Sequence, residues 1–165
     1  MIKLTINDQL IEAREGQTVL EAAREHKITI PTLCYHKDLS PVGSCRLCMV
    51  EVEKMRGQTA ACTLPVSEDM VIHTETPPII QARQMVLQLL LQNYVDVGYA
   101  AKDGRPNELM YWVNRYNVEL PKGFEPQPRY TVNSDPNPFV WVDFNKCILC
   151  TRCVRACAEV QGRFM

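Results

Sequence analysis

The sequence predicts an α+β fold, and three observations support that prediction. Short runs of alternating apolar and polar residues, the pattern of half-buried strands, lie on both sides of one short capped helix. Eight cysteines fall into two tight groups, and six of the eleven prolines lie between residues 106 and 138. The 165 residues are enough for one or two small domains. We therefore expect a small α+β domain, a proline-rich connector and a second segment that carries cysteines.

The first predicted elements are a β-hairpin and a helix. Residues 2–6 and 9–13 alternate apolar and polar side chains around the turn pair Asn7-Asp8, which is a hairpin signature. Thr18 and Glu21 have the spacing of a capping box, in which each side chain binds the other residue's backbone N–H. The sequence therefore predicts a hairpin followed by a short helix over residues 19–25.

Three further strands and two further helices are predicted after that helix. The strand candidates cover residues 49–53, 59–64 and 70–74. A helix start at Thr76, followed by two prolines, opens a run of apolar residues at helical spacing that continues to about residue 93. One more helical segment, residues 108–116, lies in the proline-rich stretch, which we interpret as a semi-rigid connector.

Composition and charge argue against several classes of function. The formal net charge is -1, so the chain has no excess of positive charge for binding nucleic acid or an anionic membrane. No apolar run approaches the roughly 20 residues of a transmembrane helix, and the first residues lack the apolar stretch of a secretory signal. We therefore expect a cytoplasmic protein. In that reducing compartment, grouped cysteines indicate metal binding rather than disulfides.

The first cysteine group has the spacing C-x10-C-x2-C-x13-C and consists of Cys34, Cys45, Cys48 and Cys62. Three of these lie in one long loop, and the fourth falls in the strand candidate 59–64. Such a loop can wrap a compact inorganic core and point backbone N–H groups at its sulfurs, so the spacing favours two irons held by four thiolates. Four thiolates around one zinc ion remain an alternative, although zinc ribbons usually contain two C-x2-C pairs.

These residues carry a resemblance to a known family. The hairpin, the capped helix and the segments 30–34, 43–48 and 61–62 resemble the N-terminal [2Fe–2S] domain of the large iron–sulfur subunit of respiratory NADH dehydrogenases. Similar modules occur in the α subunit of NAD-dependent formate dehydrogenases and in the diaphorase partners of soluble hydrogenases. The resemblance covers about residues 1–93 and 138–163.

The resemblance implies a fold, a ligand set and partners. It implies a β-grasp [2Fe–2S] ferredoxin domain over residues 1–76, with Cys34 and Cys45 on one iron and Cys48 and Cys62 on the other. It also implies redox partner subunits, namely a flavin and NAD(H) subunit on one side and a formate dehydrogenase or hydrogenase catalytic unit on the other.

The second cysteine group has the spacing C-x2-C-x2-C-x3-C and consists of Cys147, Cys150, Cys153 and Cys157. Three thiols at intervals of three residues, in a turn that leads into a helix, can occupy three corners of a cubane. This spacing indicates a [4Fe–4S] cluster and the start of a ferredoxin-like domain over residues 139–165. Residues 153–162 most resemble the formate dehydrogenase branch of the family.

The fourth ligand of that cluster is open to two interpretations. In two-cluster ferredoxins the fourth cysteine of such a run ligates the other cluster, and a second, distant run completes each cubane. No second run follows Cys157 in this sequence. We therefore expect the chain to be part of a longer iron–sulfur subunit, with a [4Fe–4S] site that is incomplete or labile unless Cys157 or a group from outside the chain completes it.

Between the two groups, the resembled family has an H-x3-C-x2-C-x5-C motif that binds another [4Fe–4S] cluster. The four ligand positions correspond here to Asn93, Val97, Ala100 and Pro106, and none of these offers a thiolate or an imidazole. We therefore expect residues 77–138 to be a helical and proline-rich connector without a cluster.

The function indicated is electron transfer rather than catalysis. The sequence contains no flavin or nicotinamide fingerprint and no nucleophile–base pair, so catalysis would belong to partner subunits or to another part of the protein. His36 invites interpretation as a Rieske-type ligand, but four cysteines already supply the ligands, so we expect His36, like His26 and His73, not to bind metal. Two other classes stay open, a free soluble ferredoxin-type carrier and a zinc-stabilised interaction protein.

Overall fold

A computed structural model of the chain describes residues 1–95, 107–131 and 142–164. The described strands and α-helices are β1 (Ile2–Ile6), β2 (Gln9–Ala13), α1 (Val19–Glu25), β3 (Met49–Val52), β4 (Gln58–Ala60), β5 (Val71–His73), α2 (Pro77–Leu91), α3 (Glu108–Arg115) and α4 (Arg152–Arg155). A 3-10 turn covers Phe144–Lys146, and a π-helical turn covers Ala156–Val160. The chain divides into two compact units, residues 1–83 with 150–165, and residues 84–149.

The first unit contains one five-stranded mixed sheet with the strand order β2-β1-β5-β3-β4. β1 pairs antiparallel with β2 and parallel with β5, while β3 pairs antiparallel with both β5 and β4. The predicted α+β class is therefore confirmed, and the strand order agrees with the β-grasp fold that the resemblance implies.

Alternation of side chains places one face of the hairpin in the core. Leu4 is paired with Ile11 across the two strands, and both are buried, as are Ile6 and Ala13. Burying each large aliphatic side chain contributes roughly 1.5–3 kcal/mol. Since a slip of one residue would expose this whole set, the burial also fixes the hairpin register.

The predicted turn and helix cap are confirmed in detail. Asn7 and Asp8 both adopt left-handed backbone angles, with φ of 48° and 65°, as a tight hairpin turn with the favoured twist requires. The Thr18 hydroxyl accepts from the Glu21 N–H at 3.3 Å, and the Glu21 carboxylate accepts from the Thr18 N–H at 2.8 Å. The capping box therefore fixes the start of α1, whose Leu20 packs in the core.

The fourth strand is shorter than the sequence predicts. β4 ends at Ala60, because the Thr63 and Leu64 N–H groups both donate to the Ala60 carbonyl at 3.1 Å and close a turn. The expectation that Cys62 lies within a strand is therefore wrong, since Cys62 lies in the turn that follows β4.

The second unit is held together by side chains that bind backbone groups. On α2, the Gln84 and Gln88 amides donate to the carbonyls of Tyr116 and Glu119, both at 3.0 Å. The amide of Asn145, which is 3% exposed, accepts from two backbone N–H groups, at 2.9 and 3.0 Å, and donates to one carbonyl at 2.9 Å. Among the described residues, no helix is both long enough and apolar enough to span a membrane.

Candidate metal centre

The first cysteine group lies entirely within the first unit. Cys34, Cys45 and Cys48 lie in the long loop between α1 and β3, and Cys62 lies in the turn after β4. Cys34, Cys48 and Cys62 are buried, with exposed fractions of 1%, 0% and 1%, and Cys45 is half-buried. All four are free thiols rather than disulfides.

The N-terminus of α1 positions the turn that carries Cys62. The first N–H groups of a helix have no partner within the helix. Here the Val19 N–H donates to the Leu64 carbonyl at 2.8 Å, and the Leu20 N–H donates to the Ala61 carbonyl at 3.0 Å. The Ala61 N–H donates in turn to the Cys48 carbonyl at 3.0 Å. These three bonds place Cys62 beside Cys48.

Left-handed backbone angles shape the loop around Cys45. Gly43 has a φ of +63°, and Arg46 has a φ of 54°. A Cβ added at Gly43 would lie 3.4 Å from Thr63 Cγ2 and 3.8 Å from Thr63 Oγ1, which is ordinary contact. Gly43 is therefore favoured by its backbone angle rather than by lack of space.

The four thiols interact with one another as one continuous set. Cys34 interacts with Cys45 and with Cys62, and Cys62 also interacts with Cys48. The order within this set is therefore Cys45, Cys34, Cys62, Cys48.

The thiols share their protons unequally. The neighbouring Cys45 and Cys62 side chains hold the pKa of Cys34 well below its usual range, and the neighbouring Cys62 side chain lowers the pKa of Cys48. Cys45 and Cys62 show the opposite shift, because the neighbouring sulfurs and burial raise the pKa of both. Metal binding requires thiolates, so loading this site with metal releases the shared protons.

Backbone N–H groups also surround the sulfurs. The N–H groups of Leu33 and Leu47 bond to the Cys45 sulfur, and the N–H of Cys62 bonds to the sulfur of Cys48. Hydrogen bonds to sulfur are among the features that set the reduction potential of an iron–sulfur cluster.

A buried arginine supports the segment that carries Cys48. The Arg83 side chain, on α2, has an exposed fraction of 0%. Its Nε donates to the Leu47 carbonyl at 3.1 Å, and its Nη2 donates to the Met49 carbonyl at 3.0 Å. Its Nη1 donates to the Glu75 carboxylate at 2.7 Å. Arg83 thus holds the backbone on both sides of Cys48, a role that the apolar pattern of α2 did not reveal.

The second cysteine group lies at the start of the last described segment. Cys147 follows the 3-10 turn and is exposed, Cys150 is half-buried, Cys153 is exposed on α4, and Cys157 is half-buried in the π-helical turn. Compact unit 1 contains Cys150, Cys153 and Cys157, whereas Cys147 belongs to unit 2. A common site made by these four cysteines stays a prediction.

The other candidate ligands are only partly described. Asn93 is exposed, and its side-chain amide donates to the Leu89 carbonyl at 3.2 Å. The remaining three positions of the missing motif, Val97, Ala100 and Pro106, lie outside the described residues.

Each of the three histidines lies beside a carboxylate or a carbonyl. His36 is exposed and faces Asp38 at 3.6 Å, and His73 faces Glu53 at 3.2 Å. His26 Nδ1 lies 2.9 Å from the Ala22 carbonyl on its own helix.

The donor set of the first group fits a [2Fe–2S] cluster. Four neighbouring thiols, three of them buried, match the four thiolates that such a cluster requires. In the part of the chain that the structure describes, no three His, Cys, Asp or Glu side chains are arranged around a single metal ion.

Comparison with known families gives an independent view of this region. Residues 1–77 match the family described as the 2Fe-2S iron-sulfur cluster binding domain. That match contains all of Cys34, Cys45, Cys48 and Cys62.

Several curated proteins are similar along nearly the whole chain. One subunit of the NADH-quinone oxidoreductase of Rhizobium meliloti is 39% identical over 98% of this chain, and the corresponding subunit of Rickettsia bellii is 37% identical over the same share. The mitochondrial NADH-ubiquinone oxidoreductase 78 kDa subunit of Candida albicans is 33% identical, again over 98%. The chain spans only 19%, 24% and 22% of the length of these three relatives.

A solved structure shares the fold. A chain of the NAD+-reducing [NiFe]-hydrogenase, in its H2-reduced state, superposes with a TM-score of 0.83 at 29% sequence identity. The match covers 98% of this chain and 67% of that one. The predicted resemblance to the large iron–sulfur subunit of NADH dehydrogenases is therefore confirmed, and a chain of an NAD+-reducing hydrogenase is a structural neighbour.

Proposed function

We propose that this chain is the electron-transfer region of a larger oxidoreductase subunit. Residues 1–77 match the 2Fe-2S iron-sulfur cluster binding domain, which supports the proposal. The observation that carries the proposal is the continuous set of sulfur contacts among Cys34, Cys45, Cys48 and Cys62. Four thiols held together in this way are the donor set that the cluster needs.

We assign the thiols to the irons in the pairs that the family resemblance implies. Cys34 and Cys45 would hold one iron, and Cys48 and Cys62 would hold the other. When bound, the cluster supplies reversible storage of one electron.

The protein's own residues set the conditions for that chemistry. Burial of Cys34, Cys48 and Cys62 keeps water from most of the site. The N–H groups of Leu33 and Leu47 stabilise negative charge on the Cys45 sulfur and so favour the reduced state. Arg83 holds the Cys48 segment in place through hydrogen bonds to the carbonyls of Leu47 and Met49.

A second cluster completes the proposed module. Cys147, Cys150 and Cys153 supply three ligands of a [4Fe–4S] cluster, and Cys157 is the candidate for the fourth. The C-x2-C-x2-C-x3-C spacing is among the most specific iron–sulfur motifs, and zinc sites have no need of three cysteines at this interval. No cluster is proposed for the positions of Asn93, Val97, Ala100 and Pro106.

The proposed domain organisation follows from these sites. Residues 1–76 form the β-grasp [2Fe–2S] domain, residues 77–138 connect it to the next site, and residues 139–165 begin the [4Fe–4S] ferredoxin-like domain. The last of these boundaries places all four cysteines of the second group in one domain.

The names of the similar proteins suggest which redox partners the proposed electron-transfer module has. They are subunits of NADH–quinone and NADH–ubiquinone oxidoreductases and a chain of an NAD+-reducing hydrogenase. We propose that the chain relays single electrons between an NAD(H) and flavin subunit and a catalytic unit of the hydrogenase or formate dehydrogenase type, in the cytoplasm. The formate dehydrogenase assignment is supported by residues 153–162 alone.

Metal and sulfide analysis of the anaerobically purified chain tests this proposal. Two clusters require about six irons and about six acid-labile sulfides per chain, two of each for the first site and four for the second. About one zinc per chain, with no sulfide and no colour, would instead identify a zinc-stabilised interaction protein. Purification with a flavoprotein supports the subunit assignment, whereas a monomer that exchanges electrons freely would identify a soluble carrier.

A further inference from the structure

The Arg155 side chain reaches from the second cysteine group into the loop of the first. Arg155 lies at the end of α4, two residues after Cys153, and is half-buried. Its Nη1 donates to the Ser40 carbonyl at 2.6 Å, and its Nη2 donates to the carbonyl of Cys34. The partners are separated from Arg155 by more than a hundred positions in the sequence, so this contact is purely tertiary.

The same guanidinium nitrogen also approaches the second group. Nη2 lies 3.5 Å from the Cys150 carbonyl. One nitrogen atom thus bonds to the backbone of a proposed [2Fe–2S] ligand and of a proposed [4Fe–4S] ligand. The Arg155 Nε donates to the Thr151 hydroxyl at 3.2 Å, which fixes the orientation of the guanidinium plane.

A second residue on the same segment strengthens the attachment. The Glu159 carboxylate accepts from the Ser40 N–H at 2.7 Å. Both backbone polar groups of Ser40 are therefore held by the segment that follows Cys150, the carbonyl by Arg155 and the N–H by Glu159.

We propose that Arg155 is a positioning residue that links the two cluster sites and raises the reduction potential of the [2Fe–2S] cluster. This inference rests on the proposed function, because it needs clusters at both cysteine groups. Guanidinium stays charged at all relevant pH values, and its planar fork binds two acceptors at once. A positive charge next to the Cys34 carbonyl stabilises the extra negative charge of the reduced state.

The contact also supplies a short bonded route between the sites. From the backbone of Cys34 to that of Cys150, the route crosses two hydrogen bonds through one nitrogen atom. With both clusters bound, an electron transferred between the sites would leave one cluster and enter the other. No covalent bond forms or breaks, and no proton is required. Arg155 changes neither its charge nor its bonding, so its role is structural and electrostatic.

Redox titration of the full chain, followed by EPR, tests the potential. In R155Q, which keeps some hydrogen bonding but loses the charge, we expect the ratio of reduced to oxidised [2Fe–2S] cluster at a fixed potential to fall about tenfold. This corresponds to a shift of about 59 mV for a one-electron couple. R163Q is the matched control, because Arg163 is an exposed arginine of the same segment. We expect no shift in R163Q.

Amide hydrogen exchange of residues 34–40 gives a readout that does not depend on the cluster. Loss of the Arg155 contacts should speed exchange in this segment about tenfold or more, since its attachment to the second segment is weakened. R155K keeps the charge but cannot reproduce the fork, so we expect it to retain most of the potential and to show the faster exchange.

Each outcome decides the inference. An unchanged reduction potential together with an unchanged exchange rate in R155Q would overturn the inference. Equal potential shifts in R155Q and R163Q would also overturn it, because they would indicate a general effect of charge. If R155Q does not retain its cluster, R155K carries the test, and exchange at the wild-type rate would then refute the positioning role. If the wild-type chain binds only the [2Fe–2S] cluster, the proposed second site has failed, yet the shift in R155Q still reports on the contact with Cys34.

Discussion

Replacing Arg83 with methionine should weaken the first cysteine site strongly. Methionine fills much of the same volume but leaves two carbonyls without the donors that they have now, those of Leu47 and Met49. An unsatisfied buried polar group costs about 1–3 kcal/mol. The Leu47 carbonyl carries most of this cost, because Leu47 has an exposed fraction of 0%, whereas Met49 is only half-buried.

Two other effects of the R83M substitution concern the charges of Arg83 and Glu75. Removing a buried cation also removes its desolvation cost. The released Glu75 carboxylate is 50% exposed and returns to water with little penalty. We therefore expect the free energy of unfolding to fall by about 3 kcal/mol, as judged from these unsatisfied-group costs.

Urea denaturation of the full chain, followed by far-UV circular dichroism, measures this loss. The visible absorption of the bound cluster, followed over time in the same samples, reports whether the Cys48 segment still holds it. Q84M is the matched control, since Gln84 is the next residue on α2 and donates to a single carbonyl, that of Tyr116. We expect Q84M to cost about 1 kcal/mol and to leave the cluster in place. Equal losses in the two variants, or a loss under about 1 kcal/mol in R83M, would refute the reasoning.

Three further predictions concern the loop, the helix cap and the second site. The G43A variant should lose about 1–2 kcal/mol of unfolding free energy, because residue 43 has a left-handed φ. The G43N variant should lose less, since asparagine tolerates that conformation. Equal losses in the two variants would point to a steric cause. Burial raises the pKa of Glu21, but hydrogen bonds from Thr18 and Tyr35 outweigh it and leave the pKa below its usual value. The stabilisation that Glu21 gives the helix cap should therefore be complete above about pH 5 and be lost as the pH falls through the folded-state pKa. The difference in unfolding free energy between wild type and E21Q, measured by denaturation, should then narrow below about pH 4. A difference that widens there would contradict this prediction. On exposure to air, the second cysteine group should lose iron first, with the iron content falling toward about two per chain; loss of the [2Fe–2S] signal first would show the opposite order.

Local patterns predicted the elements whose structure depends on near neighbours in the sequence. The Asn7-Asp8 turn and the capping box of Thr18 and Glu21 are complete within four residues, and both form as expected. The first cysteine group could also be predicted, because the spacing of its four cysteines in the sequence is limited by the one loop and the one turn that hold them.

Features that depend on long-range contacts were not predictable in the same way. The end of β4 at Ala60 depends on turn bonds that compete with the strand, and alternation alone gives no sign of them. Arg83 binds carbonyls that lie 34 and 36 positions away in the sequence, and Arg155 binds carbonyls 115 and 121 positions away. Sequence patterns give no sign of these contacts, because a charged residue on a helix is usually solvated. Only the fold brings these side chains to the cysteine loop.

EPR of the reduced, anaerobically purified chain tests the central claim most directly, by comparison of wild type, C48S and C153S. Cys48 is a proposed ligand of the [2Fe–2S] cluster, whereas Cys153 belongs to the other site. The account predicts that the [2Fe–2S] signal of the wild type is lost or shifted in C48S and is unchanged in C153S. A [2Fe–2S] signal that is the same in C48S and wild type would contradict the assignment of the first cysteine group.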